Sequence, residues 1–535
     1  RRLRDMKADE ATTPEARERL QRKYDRRWWT VGVLSSSLVL IALDVTVLNV
    51  AIPTLQRELD ASASALQWII SAYILIFAGL LLTMGALGDR YGRRAALQAG
   101  LAIFGLASLG AGFADTSTQL IVARFAQGIG GALIMPSTLS VIVDVFPRDE
   151  RPKAIGVWAG VAALGIPLGM IAGGWLIEEF SWNWIFLINV PLVIAIAIGT
   201  QALVPESKDP AAHRIDIVGA VLSLATLTAL IYTIIEAPER GWLGVWTIGG
   251  FVASIVGVAA FVAYELRVHD PMLDIRFFRN PRLSAGVVAI GIAFMAMLAM
   301  MFILTQYLQF AREYTALETG VRFTPMALGF MLGAPSSAFL VVKLGSKILM
   351  SGGLMVVAAV MLGLAFLAVD TPYWIIGVGL TALGLGMAFT MAPATDAVMA
   401  ALPEEKAGVG SALNDTFRQV GGALGIGVFG SILNSVYSSS VSDAVQGLPS
   451  AAAAAAQNSI GAALQIAAGA GAEAGDALRI AATDAFIDGL GVVFIATAGV
   501  SLVGAAFVAR YMPAHDVSPE QLAQAHEPQP AAGDL

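Results

Sequence analysis

The sequence predicts an all-α polytopic membrane protein, and three observations carry that prediction. Of 535 residues, 57% are hydrophobic and only 14% are charged, against about 25% charged in an average soluble domain. Mean hydropathy is +0.72, and the chain breaks into apolar runs separated by short joints that hold most of the charges. Lysine and arginine are segregated between alternate joints. Charges this sparse cannot coat a soluble multidomain enzyme of this length. The net charge of -7 gives no reason to expect a nucleic-acid partner. With no cysteine, there is no disulfide framework, thiolate metal site or cysteine nucleophile.

A membrane helix needs about 20 apolar residues to cross roughly 30 Å of hydrocarbon. Fourteen such runs follow one another, near 29–52, 66–87, 95–114, 118–143, 153–176, 184–204, 215–236, 246–264, 283–309, 317–341, 347–368, 373–396, 407–433 and 485–510. Their unbroken apolarity lacks the alternation of a membrane barrel, which leaves helices. With the first joint placed in the cytoplasm, inside joints hold 26 Lys and Arg and outside joints hold 4. The positive-inside rule then puts both termini in the cytoplasm of a plasma-membrane protein. Residues 1–28 read as a solvated cytoplasmic lead, with no secretory signal before the first run. The Ala-, Gly- and Ser-rich stretch 434–484 is expected to be an external loop with short helices, because Gln457, Asn458, Glu473, Asp476 and Arg479 interrupt it. The polar tail, 511–535, is expected to be disordered.

An internal repeat appears at an offset of 253 residues. Leu87-Gly88-Asp89-Arg90-Tyr91-Gly92-Arg93-Arg94 overlays Leu340-Val341-Val342-Lys343-Leu344-Gly345-Ser346-Lys347, each after the second helix of its set. Many secondary transporters are built from repeated halves with the substrate site between them. On this register one six-helix bundle covers 29–204 and a second covers 283–510. The seventh and eighth helices, within 205–282, form an inserted pair expected to lie at the periphery.

The segment Gly85 to Arg94 is the most specific local signal. Its glycines permit a tight reversal, Arg90, Arg93 and Arg94 hold it at the cytoplasmic face, and Asp89 can pair with a helix N-terminus. An ordinary positive-inside turn is the plainer alternative. This segment resembles motif A of the major facilitator superfamily. Leu43-Asp44-Val45-Thr46-Val47-Leu48-Asn49-Val50-Ala51-Ile52-Pro53 resembles the first-helix motif of its fourteen-helix drug:proton antiporter family, the QacA, EmrB and LfrA type. Arg124 with Gln127-Gly128, Phe186-Leu187-Ile188-Asn189-Val190-Pro191, Gly408 to Asp415 and Gly421 to Gly425 also fit. The resemblance spans roughly 28–510. It implies a major facilitator fold and proton-driven efflux of lipophilic, often cationic compounds by alternating access. The helix-5 motif of that family carries Gly-Pro shortly before Gly-Gly. Here Gly169-Met170-Ile171-Ala172-Gly173-Gly174 has Met in the proline's place, with Pro167 three residues earlier. The second copy of the motif A segment has Val342 where the first has Asp89.

Charges inside the hydrocarbon are costly and need partners. Asp44 and Arg124 lie at similar depth, roughly 9–12 Å from the outer ends of their runs, where they could meet. They could form either a proton-coupling pair or a static salt bridge. Asp415 and Arg418 share a face at i, i+3, with the same two readings. Asp396, at the cytoplasmic end of the twelfth run, completes the proton-coupling candidates; a solvated role is its plainer reading, as it is for Glu178, Glu179 and Glu236. Tyr73, Gln306, Tyr307 and Gln309, polar within their runs, are the candidate pocket residues. Met301 joins them from a methionine cluster with Met295, Met297 and Met300 that equally suits a lipid face. His213, His269, His515 and His526 all fall in joints or the tail, and no metal-ligand spacing occurs. The expectation is a monomeric, cofactor-free, non-enzymatic transporter that handles a lipophilic small molecule and protons among membrane lipids. Export of a native lipid or hydrophobic metabolite is the alternative.

Overall fold

The computed structural model describes residues 25–147, 150–208, 216–269, 271, 273–402 and 407–513. The expected lead and tail, apart from their innermost residues, lie outside these. Among the described residues the chain is helical. The first seven helices are α1 (Arg27–Glu58), α2 (Ala63–Tyr91), α3 (Arg93–Gly112), α4 (Ser117–Val145), α5 (Arg151–Glu179), α6 (Trp184–Leu187) and α7 (Asn189–Leu203). The pair α8 (Ile217–Arg240) and α9 (Val245–Glu265) follows. Then come α10 (Pro281–Gln306), α11 (Ala316–Arg322), α12 (Thr324–Leu364), α13 (Tyr373–Ala400), α14 (Ala407–Val441), α15 (Ser450–Asn458), α16 (Ile460–Gly469) and α17 (Ala472–Tyr511).

Hydrocarbon offers no partner to a backbone amide, so each long apolar run satisfies its own hydrogen bonds as a helix. Side-chain caps set several starts: Ser62 accepts from the amide of Ala65 and Thr116 from that of Gln119, both at 3.2 Å. Thr315 and Glu318 form a reciprocal capping box at the head of α11. The sixth run splits into α6 and α7 at Ile188. Pro191 has no amide to offer the Leu187 carbonyl, which removes one rung of the ladder there.

All fourteen expected runs coincide with helix, and twelve described segments are long and apolar enough to cross a membrane. The tenth and eleventh runs fall in one 49-residue segment, Ala316–Leu364. At 1.5 Å per residue it would reach about 70 Å, more than twice the hydrocarbon thickness. Its backbone breaks at Gly345 (φ 78°, ψ 155°), which separates two helices. The fifth run is α5, helical over 29 residues, several of whose side chains lie outside the described set. Gly345 answers Gly92 (φ 130°) at the 253-residue offset. The repeat seen in the sequence is thus also a repeat of backbone: both copies need a glycine where an L side chain would be strained.

Some boundaries move outward. The last helix begins at Ala472 rather than near 485, and α14 runs to Val441. The added start of α17 is rich in alanine, the strongest helix former, while the added end of α14 is mostly serine and valine; both continue past the hydrocarbon-length window. The stretch between α14 and α17 does hold two short helices, α15 and α16.

Helices α1–α7 pack mainly on one another, α1 against α5 and α4 against both α2 and α3. Helices α10, α12, α13, α14 and α17 form a second group. The two groups meet where α2 packs on α14 and α5 on α11. Helix α8 rests on α2 and α14, while α9 packs chiefly on α8 and leaves most of its apolar surface exposed. An exposed apolar face on a membrane helix is its lipid surface.

Candidate functional site

Two carboxylate–arginine pairs lie within the helices, and they are built very differently. In the first group, Arg124 Nη1 donates to Asp44 Oδ2 at 2.6 Å and to Gln127 Oε1 at 2.8 Å, while its Nε donates to the Ile69 carbonyl at 3.2 Å. Asp44 Oδ1 accepts from Gln127 Nε2 at 3.1 Å and from Asn189 Nδ2 at 2.8 Å. Gln127 also donates to Ser108 Oγ at 2.8 Å. The guanidinium carbon lies 4.6 Å from the Tyr73 ring centre and 5.9 Å from that of Phe186. Five helices, α1, α2, α3, α4 and α7, therefore converge on one ion pair whose side chains are each only 1% exposed. A buried charge pair holds only when its remaining lone pairs and protons are also satisfied, and here Gln127 and Asn189 supply those bonds.

The second pair is open. Arg418 Nη1 lies 3.2 Å from Asp415 Oδ1, one turn away on α14. The guanidinium also sits over Phe294 of α10, 4.6 Å from the ring centre. Arg418 Nε and Thr416 Oγ1 have no hydrogen-bond partner among the described residues. One third of the Arg418 side chain is accessible. Asp396 on α13 is exposed.

The segment from Gly85 to Arg94 forms the α2–α3 reversal. Asp89 Oδ1 accepts from Arg93 Nε at 2.8 Å, and Arg93 Nη1 reaches the Ser140 carbonyl of α4 at 3.3 Å. Behind Gly92, the amide of Arg93 donates to the Ser207 carbonyl at 3.0 Å, and Arg94 pairs with Glu206 at 3.6 Å. Arg90 projects outward beside Tyr91, and Gly85 faces Pro136 of α4. The reversal is thereby braced on α4 and on the segment after α7. The helix N-terminus that Asp89 could pair with is the head of α14, and residues 403–406 just before it lie outside the described set.

On α5, Gly169 and Gly173 pack directly on the backbone of α1 at Leu43 and Val47, where an added Cβ would sit 3.0–3.1 Å from main-chain atoms. Gly174 meets the backbone of Leu317 in α11, so the same stretch also joins the two groups. Pro167 lies within α5, its side chain outside the described residues. Around Gly174 the groups are clasped: the Leu317 amide donates to Glu178 Oε1 at 2.8 Å, and Gln309 Nε2 donates to the Val50 carbonyl at 2.9 Å. Ser431 Oγ bonds Gln67 Oε1 at 3.3 Å, and Gln56 donates to Ser459. At the opposite end, around Asp89, no hydrogen bond joins the two groups among the described residues.

The fold is shared with known proteins. Residues 34–426 match the family model of the Major Facilitator Superfamily. The chain belongs to the major facilitator superfamily. It is a multi-pass membrane transporter and not an enzyme. It is 34% identical to the methyl viologen resistance protein SmvA of Salmonella typhimurium, over 86% of this chain and 93% of that one. It is 32% identical to the tetracenomycin C resistance and export protein of Streptomyces glaucescens, over 90% and 91%. It is also 32% identical to the multidrug efflux pump LfrA of Mycolicibacterium smegmatis, over 90% and 96%. Among solved structures, a bacterial homologue of the lysosomal transporter Spinster shares the fold with a TM-score of 0.63 at 16% identity, covering 91% of this chain and 99% of that one. The xylose transporter XylE from E. coli does so at 0.57 and 13%, covering 94% and 100%.

Within this facilitator the pocket residues read from sequence do not share one cavity. Tyr73 is buried beneath Arg124 and stacks on Phe77. Tyr307 donates to the Ala368 carbonyl at 2.6 Å, Met301 is core, and Gln309 is part of the clasp. Gln306 lines a small cavity with Gln56, Gln67 and Asn434 beneath α15 and α16. Met297 and Met300 are also buried, which places them against helices rather than on a lipid face. A larger recess of about 520 Å³ lies between α1 and α7, lined by Trp29, Val33, Leu40, Leu192 and Ile196, and includes no member of either ion pair. Sequence reasoning missed Ser108 and the structural part of Gln127 and Asn189. All three are polar residues inside apolar runs, the one signal that could have flagged them.

Proposed function

We propose that this facilitator exports lipophilic, cationic compounds in exchange for protons by alternating access, with the Asp89 end facing the cytoplasm. The observation that supports this most is the pair of intramembrane carboxylates with unequal access. Asp415, its side chain 10% exposed, pairs with an arginine whose side chain is one third accessible, whereas Asp44 and Arg124 are each only 1% exposed. An antiporter needs a carboxylate exposed to one side at a time, and two such groups at different depths suit that cycle. On this reading Asp415 and Arg418 exchange protons while the cytoplasmic side is open. Asp44 and Arg124 do so once the clasp opens and their network loosens, and Asp396 gives protons a cytoplasmic approach. The 26-to-4 asymmetry of Lys and Arg supports the orientation, and the resistance proteins named above support the substrate class. Helices α1–α7 form one moving bundle and α10–α14 with α17 the other, α8 and α9 being a lipid-facing addition.

Reconstituted vesicles test this. Adding a lipophilic cationic dye should release protons, and an imposed pH gradient should drive dye accumulation. Accumulation that is unchanged when the gradient is collapsed would overturn the coupling.

A further inference from the structure

Arg418 presents a puzzle that the ion pair alone does not answer. An arginine placed in hydrocarbon to neutralise an aspartate is normally enclosed and fully bonded, as Arg124 is: 1% exposed, with three protein acceptors. Arg418 has one acceptor at 3.2 Å, a ring face on one side and an unpaired Nε, and it is 33% exposed. Its two partners, a carboxylate and an aromatic face, are the two elements that bind an organic cation: charge on one side, ring quadrupole on another. Asp415 stands on α14 and Phe294 on α10, and α14 also packs on α2 of the other group. The site is therefore fitted for a planar cation and is filled by one that belongs to the chain.

The i, i+3 spacing makes this self-filling local. Asp415 and Arg418 stay paired through α14 itself, whatever the other helices do. The guanidinium hangs on a flexible stem, a third of its side chain is accessible, and a single 3.2 Å contact ties it to the mostly buried Asp415, so the head can leave when another cation takes its place. Arg124 cannot leave in this way, because five helices hold its network together.

We propose that Arg418 is a tethered surrogate for the cargo: its guanidinium occupies the place between Asp415 and Phe294 where the exported cation sits, and the cargo enters by displacing it. This rests on the export of lipophilic cations proposed above and adds the residue that sets affinity. Occupation by Arg418 keeps the carboxylate from standing bare when no cargo is present. It also keeps cargo affinity low enough for release, since the departing cation is replaced from within.

The test is binding of ethidium, a planar lipophilic cation, to purified protein in nanodiscs at fixed pH and salt. Arg418→Gln should bind it about fivefold more tightly than wild type, the scale of one cation–π contact. An uncharged dye of similar size should gain nothing. In the Arg418→Gln background, Phe294→Leu should return affinity toward wild type and Asp415→Asn should reduce it further. Should Arg418→Gln fail to fold, Arg418→Lys keeps the charge but not the planar stack, and must itself bind more tightly than wild type. A folded Arg418→Gln that binds ethidium no better than wild type overturns the proposal, as does an equal gain for the uncharged dye. Proton-coupled export of ethidium from vesicles reports separately: export without the Arg418→Gln gain removes this inference alone. Absence of export removes the reading it rests on.

Discussion

Asp44 shows what one residue can hold together. Its carboxylate receives Arg124, Gln127 and Asn189, and its side chain is 1% exposed. Asp44→Asn keeps the shape but leaves Arg124 as an uncompensated buried charge, which typically costs about 3–5 kcal/mol. The expected outcome is a clear drop in thermal midpoint. Asp44→Asn combined with Arg124→Gln should recover most of it, since removing both charges also removes the penalty. Transport then separates the two readings of this pair. If Asp44 carries a proton, the stable double variant still has no pH-driven export; full export by that variant would show the pair to be purely structural. The sequence made the charges legible, because an acid and an arginine at matching depth in apolar runs have few other partners. It did not reveal how complete the network is. Gln127, Asn189 and Ser108 come from three different helices, and only the packed bundle brings them within 3 Å of one another or of Asp44.

At the scale of elements, the α2–α3 reversal shows how much a short motif can specify. Gly92 takes a positive φ, Asp89 closes on Arg93, and the Arg93 and Arg94 backbones dock on Ser207 and Glu206. The ion pair is part exposed, so its direct worth is small, in the range of about 0.2–1 kcal/mol. Asp89→Asn should therefore leave expression and thermal midpoint close to wild type. It should nonetheless alter the balance between open and closed states, because Arg93 then loses its tie between the reversal and α4. Cysteine labelling at single sites on each end would read that balance, and profiles identical to wild type would count against a gating role. Element identity was legible here for a simple reason: apolar length, glycine punctuation and positive-inside charge all act locally. Helix ends were less so, since α17 starts in alanine-rich sequence and α14 ends in serine-rich sequence, either of which could equally have been loop. The pocket residues were legible least of all. Tyr73, Tyr307 and Gln309 are polar in apolar runs as the pocket reading requires, yet each spends its polarity or its bulk on packing between helices.

For the whole molecule, the asymmetry between the two ends governs what the fold can do next. The Glu178 end is held by Glu178 to Leu317, Gln309 to Val50, Gln67 to Ser431 and Gln56 to Ser459. Nearly every member of this clasp is an uncharged amide, hydroxyl or main-chain group. Neutral hydrogen bonds of this kind contribute only about 0.5–1.5 kcal/mol each, enough to favour closure and few enough to be undone together in a cycle. A clasp of buried ion pairs would be harder to reopen. Alternating access requires that this end part while the other closes, so tying it shut should stop transport without touching either ion pair. The chain has no cysteine, which makes an engineered pair unambiguous. A Cβ at Gly430 would stand 3.1 Å from Cγ of Gln67, and Gln67→Cys also frees the room that the new side chain needs. With Gln67→Cys and Gly430→Cys together, oxidation should abolish dye export in vesicles and reductant should restore it, while each single variant stays active. Binding from the Asp89 side should survive the cross-link, because no hydrogen bond joins the two groups at that end among the described residues. Export continuing at an undiminished rate in fully oxidised protein would show that the clasp does not part during the cycle, and alternating access about this interface would have to be abandoned.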